Sequence, residues 1–364
     1  MRVNALCFGL DRTGGMLVLF RYLQALDRAG HEVSITTLGR EGDARFLPTP
    51  SFAETRFVGM RSKSAKALQR FVPGLFPSVE TARLSRAMPE ADLQLATYAL
   101  TAAPAASTAS PTQYHVQHFE PLIMQTARAR RLALDSYRLD TYLTVNCTWV
   151  AERVEEVGGH VQAIVCPAID HEIFRVGTAE PDPTAIRVLT LGKRASWKGM
   201  RDVVEATRRF AQSADRPVVL VTYGADPPTG DLGRAVLEHH GLIDQKALAD
   251  LYRSCTVCVS ASWYESFPLP PLEAMACGTP VICTRLGTED YAEHEQNALI
   301  VTPKDPDAIV DALRTLTRDA DLRRAIRDGG LATATRFRWD VAEASFVKQA
   351  EQAALGGYQR PPPS

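Results

Sequence analysis

No run of the 364 residues approaches the roughly 18 apolar residues that a membrane-crossing helix needs. The start, Met1 to Leu10, is apolar for too short a stretch before Asp11 and Arg12 to act as a secretory signal. These two absences predict a cytoplasmic chain. Charge of one sign is scarce too: 41 Lys plus Arg against 42 Asp plus Glu leave a net charge of -1. With no global basic field a nucleic acid partner is disfavoured, and a charged ligand has to meet a local patch. Cysteine is sparse, odd in number and scattered over positions 7, 147, 166, 255, 258, 277 and 283, mostly inside apolar strand-like runs. These residues read as small buried hydrophobes. Cys255 and Cys258 have a C-x-x-C spacing but no second Cys or His pair, which argues against zinc or redox chemistry. Two phosphate-binding signatures are missing as well. The first loop, Gly9-Leu-Asp-Arg-Thr-Gly14-Gly15, lacks the G-x-G-x-x-G spacing, and the second strand ends in Thr36-Thr37 rather than an acidic ribose ligand, so NAD is disfavoured. No Walker A loop and no internal repeat of fixed period are found.

What is there is the material of a globular enzyme. Hydrophobic residues make up 45% and charged residues 23%, and the length suggests two domains with separate cores. Val3 to Phe8 reads as a buried strand, Met16 to Arg28 carries apolar residues at a helical period, and Val33 to Leu38 is a second strand. This strand, glycine loop, helix and strand open a parallel doubly wound sheet. Further strands are expected at Leu93–Thr97, Gln113–Gln117, Thr141–Val145 and Ala163–Cys166. Polarity rises at Pro181-Asp-Pro183, and a second α/β series follows. Its strands are expected at Val188–Leu191, Val218–Thr222, Val257–Ser260 and Pro280–Cys283, alternating with helices, and three helices close the chain. The fold class is therefore α/β, two Rossmann-like doubly wound parallel sheets, and a cleft is expected at the carboxyl ends of their strands.

Three loops carry chemistry. Gly14-Gly15 leaves backbone N–H groups open to an anion at a helix start, although a tight turn alone explains the pair equally well. Gly192-Lys-Arg-Ala-Ser-Trp-Lys-Gly199 places Lys193, Arg194 and Lys198 between a strand and a helix, where phosphate is the natural guest and a solvated basic turn is the alternative. The run Trp263-Tyr-Glu265-Ser-Phe-Pro-Leu-Pro-Pro-Leu-Glu273-Ala-Met-Ala-Cys-Gly278-Thr-Pro280 has prolines suited to a first helical turn and a glycine suited to a C-terminal cap. It puts Glu265 on the loop entering a helix and Glu273 in the first or second turn, both free to face the cleft and accept from sugar hydroxyls.

The two glutamates eight positions apart, with Ala274 to Pro280 behind them, resemble the donor-site signature of glycosyltransferase family 4, retaining enzymes of GT-B fold. Gly14-Gly15, Arg28-Ala-Gly-His-Glu-Val33, the Gly192 to Gly199 loop, Asn297 and Phe337-Arg-Trp339 extend the resemblance along most of the chain. It implies an acceptor-binding domain over 1–174, a nucleotide-sugar-binding domain over 175–339, and a helix crossing back to the first domain, with a tail, over 340–364. Carried over by position, Lys198 resembles the lysine on the donor pyrophosphate, Glu273 the glutamate on the ribose, and Glu265 the one holding the transferred sugar. Phe267 and Leu269 would offer N–H groups to sugar and phosphate. Gly15 would admit the pyrophosphate to the first domain, and His118 resembles the active-site histidine. Either Lys193 or Arg194 takes the place of the family's arginine, Pro268 replaces a glycine, and Asn146 replaces a serine. On an extended strand His115, three positions before His118, points to the opposite face, so the two do not form a chelating pair.

The implied reaction moves a hexose or deoxyhexose from a dTDP-, GDP- or UDP-sugar to a hydroxyl of a glycan, glycolipid or small molecule, with no metal and no other cofactor. The segment from Tyr114 to Trp149 has a slight likeness to bacterial polysaccharide rhamnosyltransferases. Arg61, Lys63, Lys66 and Arg70, followed by Leu75 and Phe76, make a basic amphipathic stretch suited either to solvent or to an anionic lipid surface at the inner face of the membrane. A catalytically silent GT-B partner protein, or a GT-B phosphorylase or epimerase, is the alternative reading.

Overall fold

The computed structural model describes residues 1–10, 13–39, 49–58, 76–178 and 181–356. The chain divides into two compact units, Met1–Cys166 together with Asp340–Ser364, and Pro167–Trp339. The basic stretch from Arg61 to Leu75 lies outside the described residues, as do Asp11 and Arg12 of the first loop. Among the described residues no helix is long and apolar enough to cross a membrane.

The first unit is built on a parallel sheet in the order β3-β2-β1-β4-β5-β6-β7. Its strands are β1 Arg2–Cys7, β2 Glu32–Thr37, β3 Glu54–Phe57, β4 Leu93–Ala96, β5 Thr112–Val116, β6 Tyr142–Val145 and β7 Val161–Ile164. Val3 pairs with Val33 on one side and Leu93 on the other, so the strand order reverses at β1, where α/β sheets open a ligand crevice. The helices are α1 Gly14–Arg28, α2 Phe76–Ala87, α3 Ala99–Ala106, α4 Ala127–Ser136 and α5 Thr148–Glu156. α1 starts where Thr13 accepts a hydrogen bond from the Met16 N–H (3.3 Å), and it buries Leu19, Tyr22, Leu23 and Leu26 on the sheet. Helices on a parallel sheet leave the central strands without a solvent face, which is why β4 and β5 are buried at every position.

The second unit repeats the plan in the order β10-β9-β8-β11-β12-β13. Its strands are β8 Ile186–Leu191, β9 Val218–Tyr223, β10 Val236–His239, β11 Val257–Ser260, β12 Val281–Thr284 and β13 Leu299–Val301, and its helices are α6 Met200–Ala211, α7 Gln245–Arg253, α8 Leu269–Ala276, α9 Pro306–Arg318 and α10 Ala320–Ala334. Val188, Val203, Phe210, Leu220, Val259 and Ile309 belong to its core. α8 ends where Gly278 adopts φ +77°, a conformation a side chain would disfavour.

The last helix, α11 Trp339–Ala354, is seated on the first unit through its residues from Asp340 on. Phe346 is fully buried and stacks on Tyr22 of α1 with ring centroids 4.3 Å apart. Glu343 pairs with Arg21 at 2.9 Å and with Arg28 at 2.5 Å, while the Tyr142 hydroxyl donates to Gln349 at 2.6 Å.

The structure departs from the sequence reading in several element bounds and assignments. Residues 167–174, which the family resemblance puts in the first domain, group with the second unit: Ile169 bridges to Arg338, His171 bonds the Phe337 carbonyl at 3.1 Å, and Phe174 sits edge-on to Tyr252. β3, β10 and β13 are edge strands that were not anticipated: β3 and β10 carry charged residues in place of an apolar run, and β13 has only three residues. β7 runs over Val161–Ile164 rather than 163–166. His118 lies beyond the end of β5, so the alternation that set it opposite His115 does not apply there.

Six of the cysteines are buried, Cys166 is half-buried, and all seven are free. Burial pushes the Cys255 thiol up to about 11.

Candidate donor site in the second unit

The basic loop follows β8 and ends at the start of α6. Gly192 donates to the Tyr223 carbonyl at 2.6 Å, joining this loop to the end of β9. Arg194 is turned to Asp226, which accepts from its backbone N–H at 2.9 Å and lies 3.6 Å from its guanidinium. Lys193 is an exposed residue, yet its ammonium is held below the ordinary lysine range by lost hydration and by repulsion from Lys198, against the pull of Glu265 and Asp226. The next turn, Ser196–Lys198, closes at Gly199 with φ +67°. A Cβ at Gly199 would collide with the Ala261 carbonyl, so only glycine lets the helix start lie against the end of β11. Trp263 completes the seam by donating its N–H to the Trp197 carbonyl at 2.7 Å and its indole N–H to Asp202 at 2.9 Å.

This seam brings Lys198 and Glu265 together although 67 residues separate them. They form an ion pair through Nζ and Oε1, with side chains only 18% and 14% exposed. Ser262 donates to the same carboxylate oxygen at 2.8 Å, and the Glu265 backbone is tied to the Leu286 carbonyl at 3.2 Å. A cation and an anion that neutralise each other thus meet at the carboxyl ends of the neighbouring strands β8 and β11.

Glu273 sits in α8 and differs from the expectation of an open carboxylate, because the helix is buried between its neighbours and the residue is 8% exposed. Its Oε2 accepts from the Tyr252 hydroxyl at 3.0 Å, and Tyr252 is 3.0 Å from the Tyr223 hydroxyl. Burial pushes the Glu273 carboxyl up to about 7, against the opposing effect of the Tyr252 hydrogen bond. Pro268 caps α8 and Leu269 is its first residue, where backbone N–H groups have no intrahelical acceptor. The Phe267 ring is buried against Tyr291 and Phe337, and the Tyr291 hydroxyl donates to the Pro268 carbonyl at 2.8 Å.

In the first unit, Gly15, His118 and Asn146 come together at the carboxyl end of the sheet. A Cβ on Gly15 would stand 3.1 Å from the Gln117 side-chain oxygen, and Asn146 donates to the Gln117 carbonyl at 2.9 Å. His118 is half-buried next to Gln117. His115 is packed inside, its Nδ1 at 3.0 Å from the Thr144 hydroxyl, and burial holds the ring down to about 3.

Residues 185–319 match the family model described as glycosyl transferases group 1. They form a glycosyl transferases group 1 domain. The D-inositol 3-phosphate glycosyltransferase of Xylanimonas cellulosilytica is 36% identical to this chain over 31% of the chain and 28% of that protein, so less than a third of the relative's length is matched. The fold is that of the GT-B glycosyltransferases. Sucrose-phosphate synthase from Thermosynechococcus elongatus superposes with a TM-score of 0.74 at 19% identity, over 98% of this chain and 100% of that one. Anabaena HepE in complex with UDP-glucose gives 0.71 at 17%, over 97% and 100%.

Within the group 1 domain, sequence reasoning singled out Lys198, Glu265 and Glu273, and it did not single out Tyr223, Tyr252 or Ser262, which the structure places against them. Ser262, three positions before Glu265, stood in plain view at the end of a strand. The tyrosines had no such signal, because nothing in their spacing relates them to Glu273 before the helices pack.

Proposed function

We propose that the protein is a retaining glycosyltransferase of family 4 that moves a hexose or deoxyhexose from a nucleoside-diphosphate sugar to an acceptor hydroxyl on a glycan, glycolipid or small molecule. The observation that carries this reading is the Lys198–Glu265 ion pair, with Ser262 on the carboxylate, set where the ends of β8 and β11 meet the start of α6. A pyrophosphate would draw the Lys198 ammonium away from Glu265 and gain Lys193 or Arg194 beside it. Glu265, so released, is a carboxylate able to accept from hydroxyls of the transferred sugar and to stabilise positive charge developing at its anomeric carbon. Glu273 is assigned to the ribose, and the N–H groups of Phe267 and Leu269 to sugar and phosphate.

In the reaction the bond between the anomeric carbon and the β-phosphate oxygen breaks, and the acceptor oxygen bonds to that carbon on the same face. The acceptor proton passes to the departing phosphate, whose charge the lysines and helix N-termini offset. In the first unit, His118 is assigned to the acceptor and Gly15 to a close approach of backbone to a phosphate. A lipid-linked acceptor would give the basic stretch 61–76 an anionic membrane surface to meet. dTDP, GDP and UDP remain the candidate carriers, with rhamnose as one sugar to screen.

The test is thermal denaturation with UDP, GDP, dTDP and ADP, in wild type and Lys198→Ala. A ligand present at about 100 times its Kd adds about 2.7 kcal/mol, which for a unit of this size is a rise on the order of 5 to 10 °C. One nucleotide should stabilise the wild type and lose that effect in the variant. No stabilisation by any of the four would overturn the donor site and favour a silent partner protein.

A further inference from the structure

We propose that Tyr252 is a positioning residue for the nucleotide donor, a phenol held by Tyr223 that aims the Glu273 carboxylate at the ribose. The inference rests on the donor-site reading above and adds to it two residues that lie outside the glycine loops and the glutamate run, at positions 223 and 252. Tyr252 is fully buried at the end of α7, and Tyr223 is the last residue of β9. Their hydroxyls are 3.0 Å apart, and Tyr252 lies 3.0 Å from Glu273 Oε2.

The direction of this chain follows from the donor inventory. The ionised carboxylate only accepts, so in that state the Tyr252 proton goes to Glu273, and the Tyr223 proton then goes to the Tyr252 oxygen. Each hydroxyl fixes the next, and the carboxylate is left with Oε1 for a hydroxyl of a ligand. The Tyr252 backbone is itself held, because Thr279 donates to its carbonyl at 2.8 Å and Phe174 packs edge-on to its ring. Without Tyr252 the carboxyl of a buried helix would keep its place in the chain but lose both its orientation and the hydrogen bond that favours its charged form.

The titratable groups around Glu273 are Tyr252, Tyr223 behind it, Cys258 on β11 and Cys277 just past α8. Arg253 of α7 acts on Cys277, and Arg327 of α10 faces Gly278 at the end of the helix. Burial pushes both phenols and both thiols upward, so between about pH 5.5 and 8.5 Glu273 is the member of this cluster that changes charge.

The experiment is calorimetric binding of UDP, GDP, dTDP and ADP to the full chain from about pH 5.5 to 8.5, in wild type, Tyr252→Phe and Tyr223→Phe, with melting temperatures recorded alongside. Wild type should bind its nucleotide more tightly as pH rises through about 7. Tyr252→Phe should move this acid limb up by about one pH unit, a roughly tenfold loss of affinity on the limb that narrows at high pH. Tyr223→Phe should move it the same way by less, and it supplies the answer if Tyr252→Phe does not fold. With transfer assayed, the loss should fall on the KM for the donor rather than on kcat. A merely structural role would lower melting and leave the pH profile in place. Profiles of both variants that coincide with wild type would overturn the inference while leaving the donor site standing. Failure of wild type to bind any of the four nucleotides would overturn both.

Discussion

Glutamine in place of Glu265 separates the charge of the ion pair from its shape. The amide still fills the site and can still accept from Ser262, but the Lys198 ammonium, 18% exposed, loses its counter-charge. Two unit charges about 4 Å apart at an effective dielectric of about 20 attract by about 4 kcal/mol. Removing one partner of a largely buried pair costs about 3 to 5 kcal/mol, mostly through the charge left behind. Partial exposure and the remaining amide contact place this variant near the lower end. At about 2 to 4 °C per kcal/mol, the ligand-free second unit of Glu265→Gln should melt roughly 5 to 10 °C below wild type. A nucleoside diphosphate then meets a lysine that no longer has to be drawn from a carboxylate. It should bind the variant about tenfold more tightly or better, since each 1.4 kcal/mol is about a factor of ten, and it should recover most of the lost melting temperature. Sugar transfer should fall sharply in the same protein. Calorimetric melting with and without UDP, GDP, dTDP or ADP, together with binding isotherms, reads all of this. Unchanged melting without ligand, or a weaker affinity for the nucleotide that wild type binds, would refute a pair poised to open.

Two further outcomes follow from the first unit. Phe346→Ala removes a fully buried ring from its stack on Tyr22 and its edge contact with His115, at a cost of about 3 to 5 kcal/mol. The first unit's calorimetric transition should drop while the second unit's stays, and equal drops in both would contradict the assignment of α11 to the first unit. The same unit buries His115 neutral, held down to about 3, and Glu120 protonated, pushed up to about 8 from 4.5 mainly by burial and against its hydrogen bond from the Ala99 N–H. The depressed histidine contributes stability that is present above about pH 6.5 and lost as pH falls toward 3. The raised glutamate contributes stability present below about 4.5 and lost as pH rises toward 8. Between about pH 6.5 and 8 Glu120 alone of the two titrates differently in the folded and unfolded chain, and the fall should be about 2 kcal/mol. Denaturant titrations in Glu120→Gln should lack that alkaline fall; an identical fall in the variant would show that another group causes it.

The sequence alone was enough for the parallel architecture. Apolar runs such as Val3 to Cys7 and Val257 to Ser260 have no polar alternation because both faces are covered, and that shows without any partner in view. It was also enough for the charged loops, since Lys198, Glu265 and Glu273 sit beside glycines and prolines whose backbone demands are local. What it did not contain was any pairing across the sheet. Lys198 meets Glu265 only because β8 and β11 are neighbours and Gly199 lets the helix start touch Ala261. Tyr252 reaches Glu273, and Tyr223 reaches Tyr252, only once α7, α8 and β9 have packed. The same holds for the seat of α11, where Phe346 lies 324 positions from the tyrosine it covers. Local conformation is set by short-range sterics and periodicity, which a sequence displays. The burial that pushes Glu273 up to about 7 and the contacts that aim it are long-range, and only the folded chain decides them.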